Sequence, residues 1–199
     1  MIQFDNCVNY FRKIILEKFK DNNINGFIAG GSVRDYFMGI YTTNDYDLFF
    51  PNEKEYLKAE LYFKKNGCEI IFENDNALKI KYNGIKFDLI KIYFETPEIA
   101  INKFDFTVSM LAVDYNKVYH GKTTFIDLSK RQLIFNTIDF PTSTVKRVLR
   151  YYTKGFRMCD GETLRLINAV KREKLKTKDD DNNEKETDFS DYEHLSAID

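Results

Sequence analysis

The chain has 199 residues, 43% hydrophobic and 16% aromatic, which excludes a wholly disordered protein and suffices for one globular domain plus a small appendage. Its net charge of −1 hides an asymmetry: residues 179–199 carry nine acids and one lysine, −8 in all, leaving residues 1–178 at +7. A basic body suits polyanionic partners such as nucleotides or nucleic acid, the acidic end reads as a solubilising disordered tail, and no apolar run approaches the roughly 20 residues of a membrane span.

In chain order, Phe4, Val8, Phe11, Ile15 and Phe19 recur at helical steps and predict an amphipathic helix ending near Asn22–Gly26. Gly26–Ala29 reads as a strand, Gly30-Gly31 as a turn and Val33–Met38 as a short helix. Asp45–Phe50 reads as a strand stopped by Pro51, and residues 53–65 as a helix with Tyr56, Ala59, Leu61, Tyr62 and Phe63 as candidates for its apolar side. "CEIIFEND", "ALKIKY" and "IKFDLIKIYF" are strand-like, and Asn83-Gly84 between the last two is a strong hairpin signal. Pro97 opens a helix expected to run through about Val113. Residues 117–136 read as a hairpin and an edge strand. After Pro141, helices are expected over about 143–157 and 162–174, divided by Asp160-Gly161. The architecture is α/β (α+β): a small mixed sheet flanked by helices, then a helical extension.

The N-terminus shows no charged-then-apolar signal pattern. Cys7, Cys68 and Cys159 stand far apart, as do His120 and His194. The expectation is a cytoplasmic protein with three reduced thiols and no structural zinc.

Two features carry chemistry. In "FIAGGSVRDYFMG" a glycine pair joins a strand to a helix, either as a plain tight turn or as a cradle whose backbone N–H groups approach a phosphate. Ser32 adds a hydroxyl there. Arg34 either reaches a phosphate or pairs with a nearby acid and holds the turn. In "NDYDLFF", alternation places Asp45 and Asp47 on one strand face, about 6.6 Å apart along the strand. Such a pair repels unless a cation neutralises it, and oxygen ligands suit Mg²⁺ (or Mn²⁺). Asp88, in "IKFDLIKI", interrupts another apolar strand. It either converges with Asp45 and Asp47 on metal or forms a salt bridge with Lys86 or Lys91.

These segments carry a resemblance. "GGSVRDYFMGIYTTNDYDLFF" resembles the GGxVRD…DxD signature of class II tRNA nucleotidyltransferases (CCA-adding enzymes) and bacterial poly(A) polymerases, members of the DNA polymerase β-like superfamily. "KFDFTVSML" resembles their RRDFTxNAL segment, Gly121 and "DLSKRQL" their glycine-then-DL connector, and "VKRVLRYYTKGF" their RxLRAxRFA helix. The likeness covers about residues 27–157. It implies a nucleotidyltransferase head (1–142), a neck-like helical extension (143–176) and the acidic tail (177–199), without the family's body and tail domains.

The resemblance also implies roles. Gly30, Gly31, Ser32 and Arg34 would hold a triphosphate. Asp45 and Asp47 would bind the metal, with Asp88 as a third catalytic acid. Asp105 would lie near the ribose, and Arg147 and Arg150 would face the nucleotide. The implied activity is NMP transfer from NTP to an acceptor hydroxyl with release of pyrophosphate. The acceptor would be an RNA 3′ end, tRNA-like by family analogy. The alternatives are a protein acceptor, or a non-catalytic nucleotide- or RNA-binding module. The chain departs from the family at Lys103 and Phe104 (paired arginines), at Ser109 (Asn), and at Ser143 and Thr144 (the acids of the base-selecting EDxxR).

Overall fold

The computed structural model describes residues 4–41 and 45–180, without the side chains of 174–180. The acidic tail from residue 181 on lies outside the described residues.

The N-terminal apolar stripe folds as expected but not as one uniform helix. Helix α1 (Phe4–Phe11) passes through a π-helical turn (Arg12–Leu16) into α2 (Glu17–Asp21). Cys7, Val8, Phe11, Ile15, Leu16 and Phe19 are buried along it. β1 (Phe27–Ala29) is followed by α3 (Gly31–Phe37), β2 (Asp45–Phe50) and α4 (Glu53–Lys65). Asn52 caps α4, its side chain accepting a hydrogen bond from the Glu55 N–H at 3.1 Å, so the strand stop and helix start are encoded side by side. β3 (Glu69–Glu73), β4 (Ala77–Tyr82) and β5 (Ile85–Tyr93) form the expected meander, with Asn83 and Gly84 both at positive φ in the turn.

Two segments differ from expectation. The helix opened by Pro97 stops early: α5 is Pro97–Ile101, followed by a 3₁₀ turn (Thr107–Ser109) and β6 (Leu111–Val113). Pairing of β6 with β1 decides this. Leu111 and Val113 enter one core and Ala112 the other, an alternation that a helix cannot supply. The hairpin expected over 117–136 reduces to β7 (Val118–His120). Its partner lies upstream in β6, across a turn where the Asp114 carboxylate accepts from the N–H groups of Asn116 and Lys117. The rest of the segment folds as helix α6 (Thr124–Ser129). Gly121 lies between them because a Cβ there would stand 2.8 Å from Thr124 Oγ1 and 3.0 Å from Met110 Cβ.

The seven strands order as β3-β4-β5-β2-β1-β6-β7, with β2 and β5 parallel and the other pairs antiparallel. One face carries Ile28, Tyr46, Leu48, Leu78, Ile80, Phe87 and Leu89 against α1, α2 and α4. The other carries Phe27, Ala29, Phe49, Ala77 and Ile90, partly covered by α5. Asp45, Asp47 and Asp88 belong to this second face. A third cluster joins Phe106, Val108, Leu128, Leu133 and Phe135 to Val148 and Tyr151 of α7 (Pro141–Thr153) and Leu166 of α8 (Asp160–Asp180). Both closing helices begin before, and α8 ends after, the expected bounds.

The thiols give a check on this packing. All three cysteines are free, Cys159 exposed, Cys68 half-buried and Cys7 fully buried, with burial pushing the Cys7 thiol up to about 12. A disulfide-exchange reagent at mildly alkaline pH is expected to titrate Cys159 at once, Cys68 more slowly, and Cys7 only on unfolding. Rapid labelling of Cys7 in the native protein would contradict the seating of α1.

Candidate nucleotide site

The site is built where the glycine turn, the end of β2 and the start of α7 meet. Gly30 has φ +80° and ψ −132°, a conformation that side chains rarely adopt, and its N–H donates to the Leu111 carbonyl at 2.8 Å. The turn can therefore swing from β1 into α3 with its backbone close to the sheet. A cavity of about 260 Å³ opens beside it. Four of the residues expected from the sequence line it together: Gly30, Asp47, Asp105 and Arg147. Phe49, Phe94, Phe104, Phe106 and Phe140 give it apolar walls, and Lys103, Ser109 and Asp139 add polar edges. Phe49 is itself held by stacking on Phe27, centroids 5.6 Å apart.

Other expected residues do not line this cavity. Gly31 and Ser32 are buried in the first turn of α3, and the Ser32 hydroxyl has no hydrogen-bond partner among the described residues. Arg34 takes the second of its two sequence readings. Only 1% exposed, it pairs with Asp35 at 2.8 Å, donates to the Tyr151 hydroxyl at 2.6 Å and lies 5.0 Å from that ring's centroid. The Tyr151 hydroxyl also bonds Ser109 Oγ, so Arg34 ties the turn to α7 and the cavity wall. Arg150 is exposed on α7.

Asp105 and Arg147 form a buried ion pair, and the same Asp105 oxygen accepts from Thr144 Oγ1 at 2.8 Å. Thr144 is fully buried, and neither it nor Ser143 lines the cavity. The positions that replace the family's base-selecting acids therefore brace Asp105 (Thr144) or point inward (Ser143).

The acids follow the strand register. Asp47 stands opposite Asp88 on β5, and Asp88 opposite Lys79 on β4. Asp88 forms a salt bridge, the alternative to metal convergence, but with Lys79 at 2.9 Å rather than Lys86 or Lys91, because the β4 register brings Lys79 alongside. Burial raises the Asp88 carboxyl above its ordinary range. The Lys79 bond opposes this and the Asp45 charge adds to it. Burial works against the charged form of Lys79 too, but its bond to Asp88 and the field of Asp88, Asp45 and Asp47 leave it raised. For the carboxyl, 4% exposed against 34% for the lysine, the burial cost prevails.

A divalent cation can be tested against these donors. Asp45 and Asp47 share a face, and the second Asp88 oxygen is buried without a hydrogen-bond partner among the described residues. Hard oxygen donors with one orphaned carboxylate oxygen fit Mg²⁺ or Mn²⁺. Among the described residues no three His, Cys, Asp or Glu side chains stand together as a ready metal cluster, so the full convergence expected of Asp88 is not preformed.

The seven-stranded mixed sheet with flanking helices is a nucleotidyltransferase-type fold. Of solved structures, a Thermotoga maritima CCA-adding enzyme complexed with tRNA is similar at TM-score 0.66 and 18% identity, over 86% of this chain and 47% of that one. A CCA-adding enzyme with CTP is similar at TM-score 0.66 and 16% identity, over 88% and 48%. Residues 2–131 match the family described as "Gad2: Gabija anti-defense 2 family protein", and the chain belongs to that family. A curated relative, "Gabija anti-defense 2" of Bacillus phage SPbetaL7, is 27% identical over 168 residues. That match covers 79% of this chain and 40% of the relative, so the chain spans less than half of its relative's length.

Sequence reasoning missed Lys79, Phe94, Asp139, Phe140 and Tyr151. Lys79 carried a usable signal, as a cation on the side of β4 that the Asn-Gly register sets beside Asp88. The others reach the cavity or its support from distant segments and left none.

Proposed function

We propose that the chain is a metal-dependent nucleotidyltransferase that binds an NTP in the cavity and transfers NMP to an acceptor hydroxyl. The cavity carries this reading, because it joins Gly30, Asp47, Asp105 and Arg147 under aromatic walls large enough to take a base. The base would lie among the phenylalanine rings, the ribose near Asp105, and the phosphates toward Gly30, Gly31 and Ser32. Asp45 and Asp47 would hold Mg²⁺ or Mn²⁺, which supplies charge neutralisation at the phosphates. The acceptor oxygen attacks the α-phosphorus, the α–β phosphoanhydride bond breaks, pyrophosphate leaves, and Asp88 takes the acceptor proton. Arg147 and Asp105 orient each other, and Arg34 keeps the glycine turn in place.

The acceptor is an RNA 3′ end, in keeping with the tRNA complexes among the structural neighbours. Family membership suggests that the activity serves a phage against the Gabija defence. A second reading, nucleotide binding without turnover, draws on the Lys79–Asp88 bond, which occupies the third acid. Incubation with radiolabelled NTPs, Mg²⁺ or Mn²⁺ and either RNA or host protein separates the two. Labelled RNA is expected. Labelled protein would move the acceptor, and no label on either would favour the second reading.

Base choice should be relaxed. Discrimination needs donors and acceptors aimed at the base edge. Here Thr144 is committed to Asp105, Arg147 pairs with that same carboxylate, Ser109 bonds Tyr151, and the walls are apolar apart from Lys103 and Asp139 at the edges. With all four NTPs present, sequenced products are expected to show selectivity of about tens of fold rather than thousands. Clean CCA ends on tRNA would contradict this.

A further inference from the structure

The sheet beyond the acids carries the opposite charge. Register sets Asp45 beside Lys86 and Lys86 beside Lys81, then Asp47 beside Asp88 and Asp88 beside Lys79. Lys79, Lys81 and Lys86 therefore share the face of the three acids, in two rows running outward across β5 and β4. The irregularity in β3 between Ile70 and Phe72 brings Phe72 opposite Lys79, so its ring continues the second row at the sheet edge, 52% exposed. Glu69 stands opposite Lys81 at that edge. Lys81 and Lys86 are exposed, and α5 covers the other end of this face, over β1, β6 and β7.

We infer that this lysine face, ending on Phe72, is the track on which a single-stranded nucleic acid lies with its 3′ end at the acids. The inference rests on the nucleotidyl-transfer reading and names where its acceptor binds. The nucleotide cavity runs from Ala29 and Gly30 past Asp47 and Phe49 to Ile92 and Phe94 at the far end of β5, while the lysines flank the acids on the near half of β5 and on β4. An acceptor on the lysines thus meets the nucleotide across the carboxylates without entering the cavity. From Asp47 to Phe72 the sheet spans three strand spacings, about 14 Å, room for a short run of nucleotides. Cations for the phosphates and an exposed ring for a base are the two elements of single-strand binding. An acidic peptide would use the lysines but has no base to stack on Phe72, which favours nucleic acid.

The test uses the full chain and a short, unstructured, fluorescently labelled RNA, read by anisotropy over a salt series. Nucleotide binding is followed separately, as the thermal shift caused by Mn²⁺ with a non-hydrolysable ATP analogue. Lys81→Ala with Lys86→Ala is expected to weaken RNA binding at low salt. It should also flatten the slope of log affinity against log salt by about 1.4, roughly 0.7 for each lost phosphate contact. Phe72→Ala is expected to weaken RNA binding by about tenfold at every salt concentration. Both variants should keep the wild-type nucleotide shift, which shows that they are folded. RNA affinity and salt slope unchanged in the lysine variant would overturn the track. So would polyglutamate displacing the RNA as well as unlabelled RNA does, since it would point to a protein acceptor. Lysine-dependent RNA binding in a wild type that shows no nucleotide shift would uphold the track and overturn the transfer reading instead.

Discussion

Asp47→Asn is expected to lower nucleotidyl transfer by about a thousandfold or more while leaving the melting temperature of the metal-free protein unchanged or raised. Asp47 borders the cavity, shares its sheet face with Asp45 and stands opposite Asp88. In the proposed role of metal ligand and phosphate neighbour it would act where transition-state charge is largest, and several kcal/mol of lost stabilisation correspond to three decades of rate. The fold loses little, because the substitution is isosteric, the side chain is half-buried, and removing one carboxylate relieves repulsion with Asp45 and Asp88. A second readout follows from linkage: the thermal shift caused by Mn²⁺ with nucleotide should shrink in the variant. Transfer at the wild-type rate would remove Asp47 from the site.

Asp105→Ala is expected to act on stability, by about 3–5 kcal/mol. Asp105 and Arg147 are less than a tenth exposed, and Thr144, fully buried, donates to the same carboxylate. Removing the acid takes its carboxylate from a buried guanidinium, while the Thr144 hydroxyl keeps the Phe140 carbonyl as an acceptor. The cost is mainly that of the uncompensated cation, not the net worth of the pair. Replacing both partners with apolar residues of similar volume, Asp105→Leu with Arg147→Met, should therefore recover most of the loss. Denaturant unfolding of the two single variants and the double variant measures this. Additive losses would mean that the two side chains do not depend on each other. If nucleotide binding is lost in the double variant while its stability returns, the pair also serves the ligand.

Local features of the chain made much of this legible. Pro51-Asn52 encodes both the end of β2 and the cap of α4, and Asn83-Gly84 encodes the β4–β5 turn. The period of two in "DYDLFF" sets Asp45 and Asp47 on one face, and the glycine pair marks a turn that only an unusual backbone can make. Such signals act over a few residues, so a linear reading finds them. The end of α5 was not legible, because "LAV" becomes a strand only when β1 offers it an edge. Nor was α6, where helix replaces the expected strand and Asp127 and Leu128 turn inward.

The sequence by itself determined which residues have the chemistry: two carboxylates on one strand, a third on another, a glycine turn, and arginines on a late helix. Tertiary structure decided what each one touches. It turned Arg34 inward onto Tyr151, 117 residues away, and set Arg147 on Asp105 across 42 residues. It gave Asp88 the ammonium of Lys79 as a partner, and it gathered phenylalanines from β2, from the end of β5, from the segment after α5 and from the entry to α7 around one cavity. The physical reason is that burial makes pairing compulsory. A charge removed from water must find its counter-charge among whatever side chains the strand register and helix packing bring within reach, and that choice is made in space rather than along the chain.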